Sequence, residues 1–195
     1  MQEPVFESTT TMTQEAFEAW ALERFPRDRS HVELLNGRIV MTPPAGHPHS
    51  EVAANVGYYL NAHVKPRRLG RVLESSQGYA FPSGDTVEPD VSFVGNERWA
   101  AATIVPGKFL TVVPDLVVEV LSRSTASRDR GEKKKIYAEN GVREYWLVDI
   151  PAREVVVFTL EGGRYAEERV FDEAAMVVST ILPDLAVVVC DLLPA

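Results

Sequence analysis

Two carboxylates stand out by where they fall. Asp90 opens the run Pro89-Asp90-Val91-Ser92-Phe93-Val94, and Glu119 sits in the middle of Asp115-Leu116-Val117-Val118-Glu119-Val120-Leu121. Both runs read as strands. Side chains alternate along a strand, so Asp90 shares a face with Ser92, and Val91 shares the other with Phe93. The second run is apolar on both faces apart from Glu119, and an ionised carboxylate there is costly unless it is paired or metal-bound. The chemistry open to Glu119 is therefore an ion pair with a neighbouring Lys or Arg, or ligation of a cation. A partner comes from the helix expected from about Ser127 or Asp129 to Asn140-Gly141. At 100° per residue Asp129, Lys133, Ile136, Tyr137 and Asn140 share one face. Ile136 and Tyr137 must pack on the sheet, so Lys133 is the one lysine of Lys133-Lys134-Lys135 aimed inward. Geometry alone leaves it either a structural partner of Glu119 or part of a reacting site.

The elements that position these residues can be read along the chain. Thr13 is available to cap a helix whose apolar stripe is Phe17, Trp20, Ala21 and Leu22, ended by Phe25-Pro26. Val32 to Leu35, Asn36-Gly37 and Arg38 to Met41 form a hairpin, because Asn-Gly suits the positive φ angles of a tight type I′ turn. Thr42-Pro43-Pro44-Ala45-Gly46-His47-Pro48 is a loop, and Val52, Val56, Tyr59, Leu60 and His63 place a second helix from about Ser50 to Val64. Strands follow near Arg71 to Glu74, Gly78 to Phe81, Pro89 to Val94 and Asp115 to Leu121. After the Lys133 helix, Asn140-Gly141 makes a good C-terminal cap and leads into the strand Glu144 to Val148. Val155 to Leu160, the turn Glu161-Gly162-Gly163, Arg164 to Phe171 and a last strand at Leu185 to Cys190 read as an antiparallel extension. The order predicts an α/β chain with a mixed sheet and helices packed on it.

Size and composition narrow the classes. A chain of 195 residues with 45% hydrophobic content can bury one sizeable core, so residues 1–195 are expected to form one domain with a flexible N-terminus over residues 1–10. No apolar run approaches the roughly 20 residues a membrane helix needs. The start Met1-Gln2-Glu3-Pro4-Val5-Phe6-Glu7 lacks a secretory signal, which predicts a cytoplasmic protein. Cys190, in an apolar run, is expected to be a buried structural thiol. Trp20, Trp99 and Trp146 look like packing residues, with Trp99 the one placed in a loop where it could meet a base.

A net charge of −8 excludes a protein that coats nucleic acid, since phosphate binding depends on Lys and Arg displacing counterions. The charge is unevenly spread. Lys65 to Arg71 and Arg123 to Lys135 hold ten of the 20 basic residues and only two acids, Asp129 and Glu132. A local basic surface of this kind either grips phosphate at one place or is a solvated face.

Taken in order, several motifs resemble one family: Glu33-Leu34-Leu35-Asn36-Gly37-Arg38, Pro43-Pro44 followed by His49, Glu88-Pro89-Asp90-Val91, Val118-Glu119-Val120-Leu121-Ser122, Asp129 through Lys133 to Tyr137, and Gly141-Val142-Arg143-Glu144-Tyr145-Trp146-Leu147-Val148-Asp149. Over about Thr13 to Val189 the chain resembles the Uma-type restriction endonucleases of the PD-(D/E)XK nuclease superfamily. The resemblance implies a restriction-endonuclease-like αβββαβ core, preceded by the N-terminal helix and hairpin and followed by the antiparallel extension. It also implies Mg²⁺-dependent hydrolysis of phosphodiester bonds, with Mn²⁺ as a substitute. Asp90 and Glu119 would be the motif acids and, with the Val120 carbonyl, would hold the metal. The usual lysine two residues after Glu119 is replaced by Leu121, so Lys133 is the candidate for that role. Glu33 would line the same site as a further ligand or general base, although a surface acid in an amphipathic strand explains it equally well. His49, Arg123 and Arg128 are candidates for substrate binding, His49 serving otherwise as a helix-entry hydrogen bonder. Asp129 and Tyr137 are expected to support Lys133. The implied partners are nucleic acid, DNA ahead of RNA, and a second copy of the chain in a homodimer. The rival reading is a catalytically weak binding or assembly module that kept the fold.

Overall fold

The computed structural model describes residues 6–24 and 30–194. Strand β1 (Phe6–Thr11) precedes helix α1 (Gln14–Arg24) and the hairpin of β2 (His31–Leu35) and β3 (Arg38–Thr42). The Thr13 hydroxyl accepts the Ala16 N–H as the helix-entry reading requires. Phe25-Pro26, expected to end α1, lies outside the described residues. The hairpin turn is the expected one, with φ of 50° at Asn36 and 77° at Gly37. The flexible N-terminus is corrected from Phe6 onward: β1 pairs antiparallel with β3 and is held there by main-chain hydrogen bonds. Residues 1–5 lie outside the description.

Helix α2 (His49–Arg67) buries Val52, Val56, Leu60, His63 and Val64 along one stripe and runs past Pro66 before Arg68 turns left-handed. It is longer at both ends than the periodicity predicts, and it takes in Pro66 in its last turn. Strand β4 (Gly70–Glu74) follows, then β5 (Tyr79–Ala80), β6 (Thr86–Val87), β7 (Val91–Gly95), α3 (Asn96–Ala101) and β8 (Leu116–Val120). Helix α4 (Ala126–Arg128) passes through a π-helical turn (Asp129–Lys133) into α5 (Lys134–Glu139). The chain continues with β9 (Glu144–Asp149), β10 (Glu154–Glu161), β11 (Arg164–Asp172), β12 (Met176–Val177), β13 (Val187–Val188) and α6 (Val189–Leu192).

Two sheets carry the site. The larger has the order β11-β10-β9-β8-β7-β4, and the smaller β1-β3-β2-β6-β5. Within the larger, β8 and β9 run parallel and the other neighbours antiparallel. With α2 and the α4–α5 segment this is the αβββαβ order read from the sequence, on a mixed sheet. The Gly78 to Phe81 strand joins the smaller sheet instead. Alternation sorts β8 between two cores: Leu116, Val118 and Val120 pack beneath α2, while Val117 and Leu121 pack with Ile136 and Tyr137 of α5. Each such side chain contributes about 1.5–3 kcal/mol by leaving water, enough for the strand to tolerate one polar residue among them. That residue, Glu119, is on the α5 side.

The C-terminus departs from expectation. The Leu185 to Cys190 run pairs only through Val187 and Val188, then turns into α6, which leaves Cys190 exposed rather than buried. The two basic runs are also separated. The Asp90 end of β7 faces Glu74, whereas Arg71 faces Val94 at the other end. Among the described residues no helix is long and apolar enough to cross a membrane.

Candidate active site

Glu119, in mid-β8 and 4% exposed, meets two side chains from the helical segment behind it. Tyr137 donates its hydroxyl to Glu119 Oε1 at 2.5 Å, and Lys133 Nζ lies 2.6 Å from the same oxygen. The inward phase of Lys133 thus holds, although the turn carrying it is π-helical rather than α-helical. Such turns insert a residue locally and occur often at functional sites. Lys133 Nζ also lies 2.9 Å from Glu33 Oε1 of β2 and 4.0 Å from Asp129 Oδ1. Glu33 therefore belongs to the cluster, and the surface-acid alternative is set aside: it is 7% exposed.

Asp90, just before β7, accepts the Val120 N–H at 2.8 Å and sits 3.2 Å from His49 Nε2. His49 is the first residue of α2, so the helix start aims its ring at the carboxylate. Burial alone would lower the His49 pKa, but the hydrogen bond and charge of Asp90 and a bond to the Val120 backbone raise it overall. Asp90 and the Val120 backbone, rather than the helix-entry bond that was the alternative to phosphate binding, engage this ring.

Three acids surround one ammonium. Burial pushes Glu119 well above the ordinary carboxylate range, with Lys133 pulling the other way and Asp129, Asp90 and Glu33 adding to the rise. Burial likewise lifts Asp129 to about 6. Burial opposes the charge on Lys133, yet Glu119, Glu33 and Asp129 hold it above its usual range. The ammonium is thus held charged, while the carboxyls of Glu119 and Asp129 are pushed toward their protonated forms.

These groups open onto one cavity of about 410 Å³, lined by every site residue read from the sequence except Tyr137, which stands behind Glu119. Arg123 and Arg128 are in its wall. Arg128 is already engaged, 3.4 Å from Glu7 and 3.7 Å from Glu132. Trp99 is elsewhere, stacked under Arg71 at 4.5 Å, and Trp146 is buried with its Nε1–H on Glu144. Lys134 lies 3.7 Å over the Phe158 ring, and Lys135 is exposed beside Glu139.

Sequence reasoning missed Glu88. Its carboxylate accepts the Val32 N–H at 3.1 Å, its own N–H is donated to Glu33 at 2.9 Å, and His31 lies 3.6 Å away. Burial first, then the charge of Glu33, pushes it up to about 8. Its place in the Glu88-Pro89-Asp90 motif was a usable signal. So was the histidine count: three of the four, His31, His47 and His49, line this cavity.

Among the described residues no three His, Cys, Asp or Glu side chains are gathered as a ready metal cage. The donors that face the cavity, Asp90 and Glu119 with the Val120 backbone beside them, are nonetheless the hard oxygen ligands that a divalent cation such as Mg²⁺ takes, completed by water. The donor chemistry fits such an ion, with the His49 ring and the Lys133 ammonium now opposite the two acids.

A mixed sheet in αβββαβ order, with an acid at each of two adjacent central strands and a lysine delivered from the following helix, defines a chain of the restriction-endonuclease-like class. The chain belongs to the Uma2 family, described as "putative restriction endonuclease", whose profile matches residues 15–192. It is also similar to a solved structure of a "putative nuclease belonging to DUF820" from Anabaena variabilis, at 22% identity, 93% of this chain and 97% of that one, with a TM-score of 0.74. That likeness shows a shared fold. No curated protein matches the chain. Membership supports nuclease as the class of activity, and nucleic acid as the class of substrate.

Proposed function

We propose that the protein is a Mg²⁺-dependent endonuclease that hydrolyses phosphodiester bonds of DNA. The observation that carries this is Lys133: its ammonium lies 2.6 Å from Glu119 and 2.9 Å from Glu33, inside the same cavity as Asp90. The helix thereby supplies the charge that Leu121 cannot. Asp90, Glu119 and the Val120 carbonyl would hold the divalent ion, which when bound lowers the pKa of a water and offsets charge on the phosphate. His49 and the Val120 N–H both meet Asp90 Oδ2, and the His49 ring can turn from it to donate to a phosphate oxygen. Lys133 faces the developing negative charge of the transition state. Preorganised groups of this kind contribute several kcal/mol because they need no reorientation during the reaction. Glu33, fixed by the Glu88 N–H, orients Lys133 and can accept a proton from the attacking water. Tyr137 and Asp129 hold Lys133 and Glu119 in register.

We further propose that the active form is a homodimer paired through β11, an edge strand of the larger sheet on which Val170 is 53% exposed. The decisive assay incubates the protein with plasmid, single-stranded DNA and RNA in Mg²⁺ or Mn²⁺, beside the Asp90→Ala variant. Metal-dependent cleavage lost in the variant supports the reading. Equal cleavage by the variant, or none by either, refutes it. Light scattering at high micromolar concentration tests the dimer separately, and a monomer there removes it.

A further inference from the structure

We infer that the cavity accepts an unpaired strand of nucleic acid and not an intact duplex. The inference rests on the nuclease reading for its chemistry, and on the shape and charge of the cavity for its content. The groups that would meet a phosphate form the floor: Asp129, Glu119, Lys133 and Glu33 are 2%, 4%, 4% and 7% exposed. Above them the space is about 410 Å³. That falls near the lower end of the roughly 300–1,000 Å³ typical of pockets that enclose a small ligand, a scale suited to one nucleotide unit. Much of the rest of the lining comes from three stretches of chain: Pro43 with Ala45 to Pro48, Ser122 to Thr125, and Ile150-Pro151.

The phosphates of a duplex lie on the outside of a rigid double strand, so bringing one down to a recessed floor presses both strands against the rim of the cavity. An unpaired strand can bend a single phosphate into the same space. The charge pattern agrees. A duplex carries one phosphate charge per roughly 1.7 Å of axis, and gripping it takes an extended track of Lys and Arg. Here the wall holds Arg123 and Arg128, and Arg128 already faces Glu7 and Glu132. The other basic run, Lys65 to Arg71, begins in the last turn of a 19-residue helix whose first residue is His49, about 24 Å along its axis. The wall also offers flat or apolar surfaces to a base: the His47 side chain is 75% exposed, with Pro43 and Ile150 facing the same space. Rings of this sort stack on unpaired bases without reading sequence.

Gly46 provides the test. It lines the cavity, its φ is not left-handed, and a Cβ built there meets nothing within 4 Å. Gly46→Leu therefore fills part of the cavity without straining the backbone and without adding a ring on which a base could stack. One labelled sequence is offered as single strand, as blunt duplex and as duplex with an unpaired tail, with binding followed by anisotropy in Ca²⁺ and cleavage in Mg²⁺ or Mn²⁺. Single strand and tail should bind about ten-fold tighter than the blunt duplex or more, with cuts confined to unpaired nucleotides. Gly46→Leu should erase that preference at unchanged thermal stability. Equal or tighter duplex binding overturns the inference, as does a single-strand preference that Gly46→Leu leaves intact. Cleavage of the blunt duplex at the same rate as the single strand also sinks it, while the nuclease reading survives. Conversely, a single-strand preference sensitive to Gly46→Leu, with no cleavage of any substrate, supports the strand inference and ends the nuclease reading.

Discussion

The two ends of the β8–β9 pair bury a glutamate each, in opposite ways. At one end Glu144, fully buried and paired in register with Leu116, gives its oxygens to neutral donors: the Trp146 Nε1–H at 2.8 Å, and the Thr180 N–H and hydroxyl at 2.7 Å each. It lines no cavity. At the other end Glu119 meets an ammonium and a phenol, with Asp129, Asp90 and Glu33 close enough to raise its pKa, and it opens onto about 410 Å³ of space. Asp115, also at the Glu144 end, is similarly consumed by the Gly95 N–H, Arg98 and Arg143. Burial of an acid therefore does not mark a site, since a buried carboxylate can serve packing alone. What separates the ends is surplus: hydrogen bonds satisfy Glu144, whereas one lysine cannot neutralise the acids around Glu119.

The sharpest way to break this comparison is at Lys133. Lys133→Ala should lower turnover about 100-fold or more, the scale for removal of a preorganised electrostatic group, with metal affinity changed little. Lys135→Ala should leave turnover nearly intact, because its exposed ammonium pairs only weakly with Glu139 at 3.6 Å. Steady-state kinetics on both variants checks this, and equal losses would remove the special position given to Lys133. Glu144→Ala should do the reverse. Stranding the Trp146 and Thr180 donors costs about 3 kcal/mol, a fall in Tm of roughly 6–12 °C for a chain this size, with kcat preserved at a temperature where the variant is folded. A Tm within about 2 °C of wild type would show that this end is not the structural one.

A smaller effect is expected at Glu88, whose pKa rises from 4.5 to about 8 by burial and by Glu33. The folded state binds this proton more tightly than the unfolded chain. The stabilisation from protonated Glu88 is present below about 4.5 and is lost as pH rises through about 8. Glu88→Gln, which mimics the protonated form, should match wild type near pH 5 and gain in Tm over it toward pH 9. Thermal melts across that window decide it, and parallel curves would contradict the assignment.

The comparison also shows what could be read in advance. Asp90, Glu119 and Lys133 were legible because strand alternation and helix phase are local geometry, and Ile136 and Tyr137 anchored the phase despite a π turn that periodicity does not reveal. The Asn36-Gly37 hairpin was legible for the same reason. The arrival of Glu33 from a second sheet could not be seen in its own strand, only in the resemblance, since it depends on how two sheets meet. Glu88 escaped because its partners are the Val32 N–H and Glu33, 56 and 55 residues away. The final apolar run failed as a strand because an apolar stretch alone does not distinguish strand from buried helix, and α6 took its second half. The basic runs seemed to cooperate only because charge counted along a chain carries no distance.

The central claim is that the surplus acids at the Asp90 and Glu119 end hold a divalent cation, and titration calorimetry with Mn²⁺ tests it most directly. The wild-type protein and Glu144→Gln should bind with the same affinity, and the Asp90→Ala, Glu119→Ala double variant should show no binding heat at this site. Unchanged Mn²⁺ binding in the double variant would contradict the account.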